Sequence, residues 1–310
     1  MIFSFVLPAY KGKYLEQAIS SIIAQDYKEF ELVVVDDCSP DDIRGIVSGF
    51  HDDRISYYRN EDNIGGHDLV AQWNHCLEYA KGDYVILATD DDLYEPNFLS
   101  SFVPLMEKYP DVGLFRSRIL QVDDQNVVKD IDACYKEYLS PVEFRYHMLH
   151  GMRGGIPQYI FKRRTLVEKG GFVNFPKAWA SDDATALLMS DCGVVNSQEH
   201  LVRFRWSSIN ISNDRRCGLE KFQARLLFSK WLQEDQVAVV QDEKWKTFYQ
   251  RTVTEYLPIY NKLTMITTMS MLTWSHWIKS VKELLESDVF PFRDKCSIIL
   301  RSFQKRISLK

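Results

Sequence analysis

No Cys-x-x-Cys pair occurs among the six dispersed cysteines, Cys38, Cys76, Cys134, Cys192, Cys217 and Cys296. That excludes a zinc ribbon or dithiol redox site, and a chain long enough to build a real core needs no disulfides, so reduced thiols and a cytoplasmic setting are expected. Basic charge is not in excess: 38 Lys and Arg face 43 Asp and Glu, a net charge of −5, which is not the footprint of a nucleic-acid binder. Glycine (14) and proline (10) are too sparse in 310 residues for collagen-like or low-complexity classes. No apolar run reaches the ~20 residues of a membrane span; the nearest, 257–278, is broken by Pro258, Asn261, Lys262, Ser275 and His276. Residues 1–7 are apolar but lack a basic start and end at Pro8, which reads as a buried strand and not a secretory leader. There is no Gly-x-x-x-x-Gly-Lys loop and no Gly-x-Gly-x-x-Gly, so two common glycine-based routes to phosphate are missing.

What is present is an alternation. Residues 2–7, 31–35, 55–59 and 84–88 are strand-like; between them 14–25, 40–50 and 69–80 carry helical spacing, as in Leu15, Ala18, Ile19, Ile22 and Ile23. Strand and helix alternating at this spacing predict βαβ units and a mostly parallel sheet, an α/β fold. The second part is less regular, with strands expected at 112–122 and 202–206 and a short helix at 163–169. Beyond about residue 215 the pattern turns to long amphipathic runs, 222–231, 248–260 and 263–285, which predict a helical C-terminal region, 216–310. No internal repeat is visible.

Ligands of open parallel sheets bind at the carboxyl ends of strands. Three acidic groups are expected there or at a helix start: Asp36-Asp37, Asp90-Asp91-Asp92 and Asp182-Asp183. An Asp pair can equally be a turn or helix cap. Three consecutive aspartates repel one another unless something positive accompanies them, and hard oxygen ligands suit Mg²⁺ or Mn²⁺.

The spacing of these groups resembles a known family. Val6-Leu7-Pro8-Ala9-Tyr10, the helix from Leu15 to Tyr27, Val35-Asp36-Asp37-Cys38-Ser39, Asn63-Ile64-Gly65, Asn74 and the run from Ala88 through Asp90-Asp91-Asp92 to Pro96 are similar to the opening of family 2 glycosyltransferases. Gly170-Gly171-Phe172, Ser181-Asp182-Asp183 and Gly193 continue the likeness, which covers roughly 1–215. The resemblance implies a Rossmann-like GT-A fold: a mostly parallel central sheet flanked by helices, with a nucleotide-binding half of about 1–110, an acceptor half of about 111–215 and the helical extension behind it. It implies inverting transfer from a nucleotide-sugar, a UDP-sugar by preference, to a glycan or lipid-linked glycan acceptor in bacterial polysaccharide, lipopolysaccharide or capsule synthesis. By the same token Pro8, Tyr10, Asp37 and Asp90 contact the nucleotide, and Asp91 with the adjoining Asp92 holds Mn²⁺ or Mg²⁺. An acid eleven residues before Gly193 takes the acceptor proton; that count gives Asp182, while reading Asp182-Asp183 as the family's Glu-Asp pair gives Asp183, and both are carried. Arg205, after Phe204, is a candidate diphosphate contact.

Two rivals stand beside this reading. A sugar-nucleotide pyrophosphorylase would want a Gly- and Arg-rich loop after the first strand. A non-catalytic nucleotide-sugar or glycan-binding protein on the same scaffold would tolerate loss of the Asp triplet, which is intact. Finally, residues 293–310 carry Arg293, Lys295, Arg301, Lys305, Arg306 and Lys310 against Asp294 alone, interleaved with Ile299, Leu300, Phe303 and Ile307. Such a segment predicts either a docked helix with a solvated basic face or a peripheral contact with the inner face of an anionic membrane.

Overall fold

The computed structural model describes residues 1–152, 154–206, 214, 216–234 and 243–308. The expected boundary near 215 and the last two residues of the basic segment, Leu309 and Lys310, lie outside the described residues. The chain forms two compact units, one of Met1–Phe144, Met152–Asn174 and Asp182–Ser207, the other of Arg145–Gly151, Phe175–Ser181 and Ser208–Lys310.

The first unit is built on one sheet. Strands β1 (Phe3–Ala9), β2 (Phe30–Asp36), β3 (Ile55–Arg59) and β4 (Tyr84–Leu87) are parallel, in spatial order β3-β2-β1-β4. They are continuous apolar runs because both faces are covered: Phe3, Phe5, Val6, Leu7, Val34, Val35, Ile86 and Leu87 are fully buried. Each such side chain contributes roughly 1.5–3 kcal/mol on burial. Helix α1 (Leu15–Ile23) buries Leu15, Ala18, Ile19 and Ile22 as its spacing predicts. α2 (Ile43–Ser48), α3 (Ile64–His67) and α4 (Leu69–Glu78) start at Asp42, Asn63 and Asp68, whose side chains accept from the backbone N–H of Gly45, Gly66 and Ala71.

Beyond β4 the sheet is mixed. It runs on through β9 (Tyr159–Lys162), β6 (Leu114–Val122) and β10 (Val194–Arg205) to β5 (Leu93–Tyr94) at the edge. β9 is antiparallel to both its neighbours, β10 is parallel to β6 and β5 antiparallel to β10, while β7 (Val128–Ile131) and β8 (Tyr138–Leu139) add antiparallel ladders. Helices α5 (Phe98–Lys108), α6 (Pro141–Leu149), α7 (Arg163–Glu168) and α8 (Ser181–Leu188) connect these strands. Two segments 98 residues apart meet here: Asn74 Oδ1 accepts from Phe172 N at 2.8 Å and its Nδ2 donates to Phe172 O at 3.2 Å. Gly171, at φ +85°, lies so near that a Cβ would come within 2.3 Å of Asn74 Oδ1, which is why glycine stands there.

The second unit is helical: α9 (Gly218–Glu234), α10 (Glu243–Arg251) running through a π-helical turn into α11 (Leu257–Ser270), α12 (Trp274–Glu286) and α13 (Phe292–Ser308). Its core joins Phe222 with Met265, Met269, Leu272, Leu284, Phe290 and Ile298. The amphipathic run 263–285 is two helices and not one, because the Thr273 hydroxyl accepts from His276 N and starts α12 afresh. Among the described residues no helix is long and apolar enough to cross a membrane.

Candidate active site

The carboxyl ends of β1, β2, β3 and β4 converge, with the reversal of strand order between β1 and β4, the position where open α/β sheets form a crevice. The acids at the end of β2 are fully buried or nearly so, and the fold holds both. Asp36 accepts from Ser39 N at 2.8 Å and Tyr57 Oη at 2.7 Å and pairs with Arg59. Asp37 accepts from Asn60 Nδ2 at 2.8 Å, Ile64 N at 2.9 Å and Gly65 N at 2.7 Å. Gly65 is required by that contact, since a Cβ there would come within 2.8 Å of Asp37 Oδ2. Asn60 and Gln72, bonded to each other at 2.8 Å, complete the cradle. Neither is singled out by sequence; their signal is only a polar residue just past a strand and one on the buried side of a helix. Cys38 follows at φ +53°.

The triplet at the end of β4 is different. Asp90 Oδ2 accepts from Tyr10 N at 3.1 Å and Lys11 N at 2.8 Å, which ties β4 to the end of β1. The Tyr10 ring is exposed, while its carbonyl accepts from the Ser39 hydroxyl at 2.6 Å. Pro8 pairs in register with Val35 one residue before Asp36. The sheet thus brings Pro8, Tyr10, Asp37 and Asp90 together. Burial pushes the Asp90 carboxyl up from the usual range. Asp91, buried and beside Asp90, is pushed up to about 6, first by burial and then by the neighbouring charge.

Asp92 is also raised well above the ordinary range by burial, but its oxygens are already committed. Oδ2 accepts from the Thr89 hydroxyl at 2.5 Å and Oδ1 from Arg205 N at 2.7 Å. The expectation of Asp92 as a metal ligand therefore meets a carboxylate that braces β10. Arg205 is the other partner in this brace. It is buried, its Nε donates to Asp91 O at 3.0 Å, and its terminal nitrogens donate to the carbonyls of Asp123 and Asp124 and to Gln17 Oε1. Its guanidinium lies over the Tyr14 ring at 4.3 Å. These contacts tie the triplet, through Asp91 O, to the carbonyls that follow β6.

Asp182 and Asp183 open α8, where an acid is favoured by the exposed N–H groups of the first turn. Asp182 Oδ1 accepts from Asp183 N at 2.9 Å. Asp183 turns to Gly154, at which a Cβ would lie 2.6 Å from its Oδ1 and 2.9 Å from the hydroxyl of buried Tyr159. Thr185 anchors the helix by accepting from Val173 N at 2.9 Å. The chain entering α8 is left-handed at Lys177, Ala178 and Ala180, none of them glycine. Such strain costs about 1 kcal/mol or more per residue and collects where geometry matters for function.

The sequence profile described as glycosyl transferase family 2 matches residues 4–168. The chain belongs to that family. An uncharacterized glycosyltransferase of Rickettsia typhi is 29% identical over 174 residues, 54% of this chain and 53% of its own. The chain spans about half the length of the curated relatives it matches. Among solved structures, residues 1–349 of S. aureus TarS in complex with UDP-GlcNAc superpose with a TM-score of 0.71 at 18% identity, covering 99% of this chain and 89% of that one. The mannosyltransferase PcManGT from Pyrobaculum calidifontis, in complex with GDP-Man and Mn²⁺, gives a TM-score of 0.56 at 18% identity over 99% and 87% of the two chains. These two likenesses are of fold, and they agree with the expected GT-A arrangement of a central sheet with flanking helices and a helical C-terminal region.

A cation would suit the β4 end. Asp91 offers a hard oxygen donor next to Asp90, and its carboxyl is raised by burial first and by that neighbouring charge second. Among the described residues no three His, Cys, Asp or Glu side chains form a cation cage. Mg²⁺-type sites are commonly one or two carboxylates completed by substrate phosphates, and the residues present fit that pattern.

Proposed function

We propose that this glycosyltransferase moves a sugar, with inversion, from a UDP-sugar to a hydroxyl of a bacterial surface glycan or its lipid-linked precursor, on the cytoplasmic side, using Mn²⁺ or Mg²⁺. The observation that carries the reading is the junction of β1 and β4: the exposed Tyr10 ring, Asp37 in its cradle, and Asp90 tied to the Tyr10 and Lys11 amides. There Tyr10 stacks on the base against Pro8, and Asp37 orients base or ribose. Asp91 would hold the cation, which neutralises the leaving diphosphate when bound. Asp92 and Arg205 position Asp91 through the loop they brace. The division 1–215 and 216–310 is retained as the catalytic and accessory parts.

The chemical step is one displacement. The acceptor oxygen forms its bond to the anomeric carbon as the bond from that carbon to the diphosphate oxygen breaks on the opposite face. Asp182 takes the hydroxyl proton and the nucleoside diphosphate leaves. Asp182 is preferred to Asp183 because Asp183 faces Gly154 and Tyr159. The stretch after β1, Pro8 to Lys13, carries no arginine and one glycine, which argues against a pyrophosphorylase.

The test is a thermal-shift screen of UDP- and GDP-sugars with and without Mn²⁺, followed by transfer assays. A UDP-sugar should raise the melting temperature in the presence of metal. Asp182→Asn should keep that shift and lose about a hundredfold or more in kcat. Parent rates for both Asp182→Asn and Asp183→Asn would place the base elsewhere.

A further inference from the structure

Helix α13 turns Lys295, Ile298 and Ser302 into the core of its unit, all buried, with Lys295 Nζ donating to the carbonyls of Leu285 and Ser287. At 3.6 residues per turn, Phe292, Cys296, Leu300, Phe303 and Ile307 fall on a separate stripe. Every one of them is exposed, Phe292 at 72% and Leu300 at 57%. Ile299, expected on this face, packs instead against the core. On α12, Trp274, Ile278 and Leu285 form a second exposed stripe, Ile278 at 64%. The two stripes join where the Trp274 and Phe303 rings lie 6.0 Å apart, with the Arg306 guanidinium 4.3 Å over Trp274. Exposed Met271, in the turn before α12, lies next in sequence to this pair of helices.

We propose that this α12–α13 face docks on an anionic lipid bilayer. Charge selects the occupant. Arg293 and Arg306 border the α13 stripe, Arg301 and Lys305 lie further round the same helix, and Lys279 and Lys282 lie on exposed positions of α12, in a chain whose net charge is −5. The nearby acids are engaged: Asp294 with Lys262 at 2.7 Å, Asp288 with Lys230 at 3.2 Å, Glu286 with Lys282 at 3.9 Å, and Glu283 as acceptor from Gln223 Nε2 at 3.0 Å. A two-fold pairing with a second copy would lay this positive rim against itself, which like-charge repulsion opposes. Acidic headgroups complement it, while the Trp274, Phe303 and Phe292 rings suit the depth between headgroup and acyl chain.

The experiment is sedimentation of the full chain with vesicles of phosphatidylcholine alone and of phosphatidylcholine mixed with phosphatidylglycerol, at low and high salt. The parent should sediment with the anionic vesicles at low salt and stay in solution with neutral ones. Leu300→Ser/Phe303→Ser/Ile307→Ser should remain in solution throughout. Arg293→Gln/Arg301→Gln should partition roughly fivefold more weakly for each arginine removed. The altered side chains are exposed, so circular dichroism and the nucleotide-dependent thermal shift should be unchanged; this confirms that lost sedimentation is lost docking. Parent protein that does not sediment with anionic vesicles overturns the proposal, as does a parent dimer, by light scattering, that the triple serine variant dissociates. Equal sedimentation of parent and triple serine variant overturns it too.

Discussion

The acids at the ends of β2 and β4 are alike in sequence and opposite in circumstance. Asp36 and Asp37 are enclosed by donors from β3, the Cys38–Ser39 turn and the start of α3. Asp90 and Asp91 sit side by side under burial with their carboxyls raised. Asp36, buried with its donors in place, is a strut of the fold, and the cradle around Asp37 holds that carboxylate in position. A carboxylate raised by burial and by a neighbouring like charge is where a cation gains most by arriving.

Four measurements would break or sharpen that contrast. The largest effect is expected for Asp91→Asn, which should fold and lose metal-dependent transfer by about a thousandfold or more, since metal assistance contributes several kcal/mol; near-parent turnover would remove the distinction. Asp36→Ala should act on the fold instead. It strands the Ser39, Tyr57 and Arg59 donors, and about 3 kcal/mol of stability should disappear in denaturant titration.

The third is pH dependence without metal. The Asp91 carboxyl is raised on folding, so the folded state binds its proton more tightly than the unfolded state does. Its contribution is favourable at low pH and is lost as pH climbs from the ordinary carboxylate range through about 6. Asp91→Asn should therefore match the parent near pH 4 and exceed it above pH 6 by up to about 3 kcal/mol. A parent that gains on the variant as pH rises would reverse the assignment. The smallest effect is Cys38→Asn at the end of β2. Asparagine tolerates the left-handed backbone at φ +53° better than cysteine, and a gain of a few tenths of a kcal/mol, up to about 1, should raise the melting temperature.

Legibility in the sequence followed the range of the interaction. The β1–β4 alternation and α1 were readable because each is a local period of apolar residues. Helix α5, with Pro104 inside it, gives no such signal. The antiparallel placement of β9 between β4 and β6 depends on pairings such as Val85 with Phe161, which no neighbouring residue announces. The site shows the same division. The Asp triplet and the Asp-Asp-Cys-Ser run are visible as letters. That Asp92 and Arg205 brace each other across 113 residues is not.

The sequence by itself determined the α/β alternation, the positions of the acids after apolar strands, and the helical character of the C-terminal region. Those follow from side-chain periodicity and from the charge of adjacent residues, which act within a few positions of the chain. The tertiary structure decided which acids are struts and which are open to a ligand. It also decided that α13 buries Ile298 and Ser302 and turns Phe292, Leu300, Phe303 and Ile307 outward. A carboxylate's role depends on which donors reach it, and a helix face is inside or outside according to what packs against it. Both are set by contacts between residues far apart in sequence.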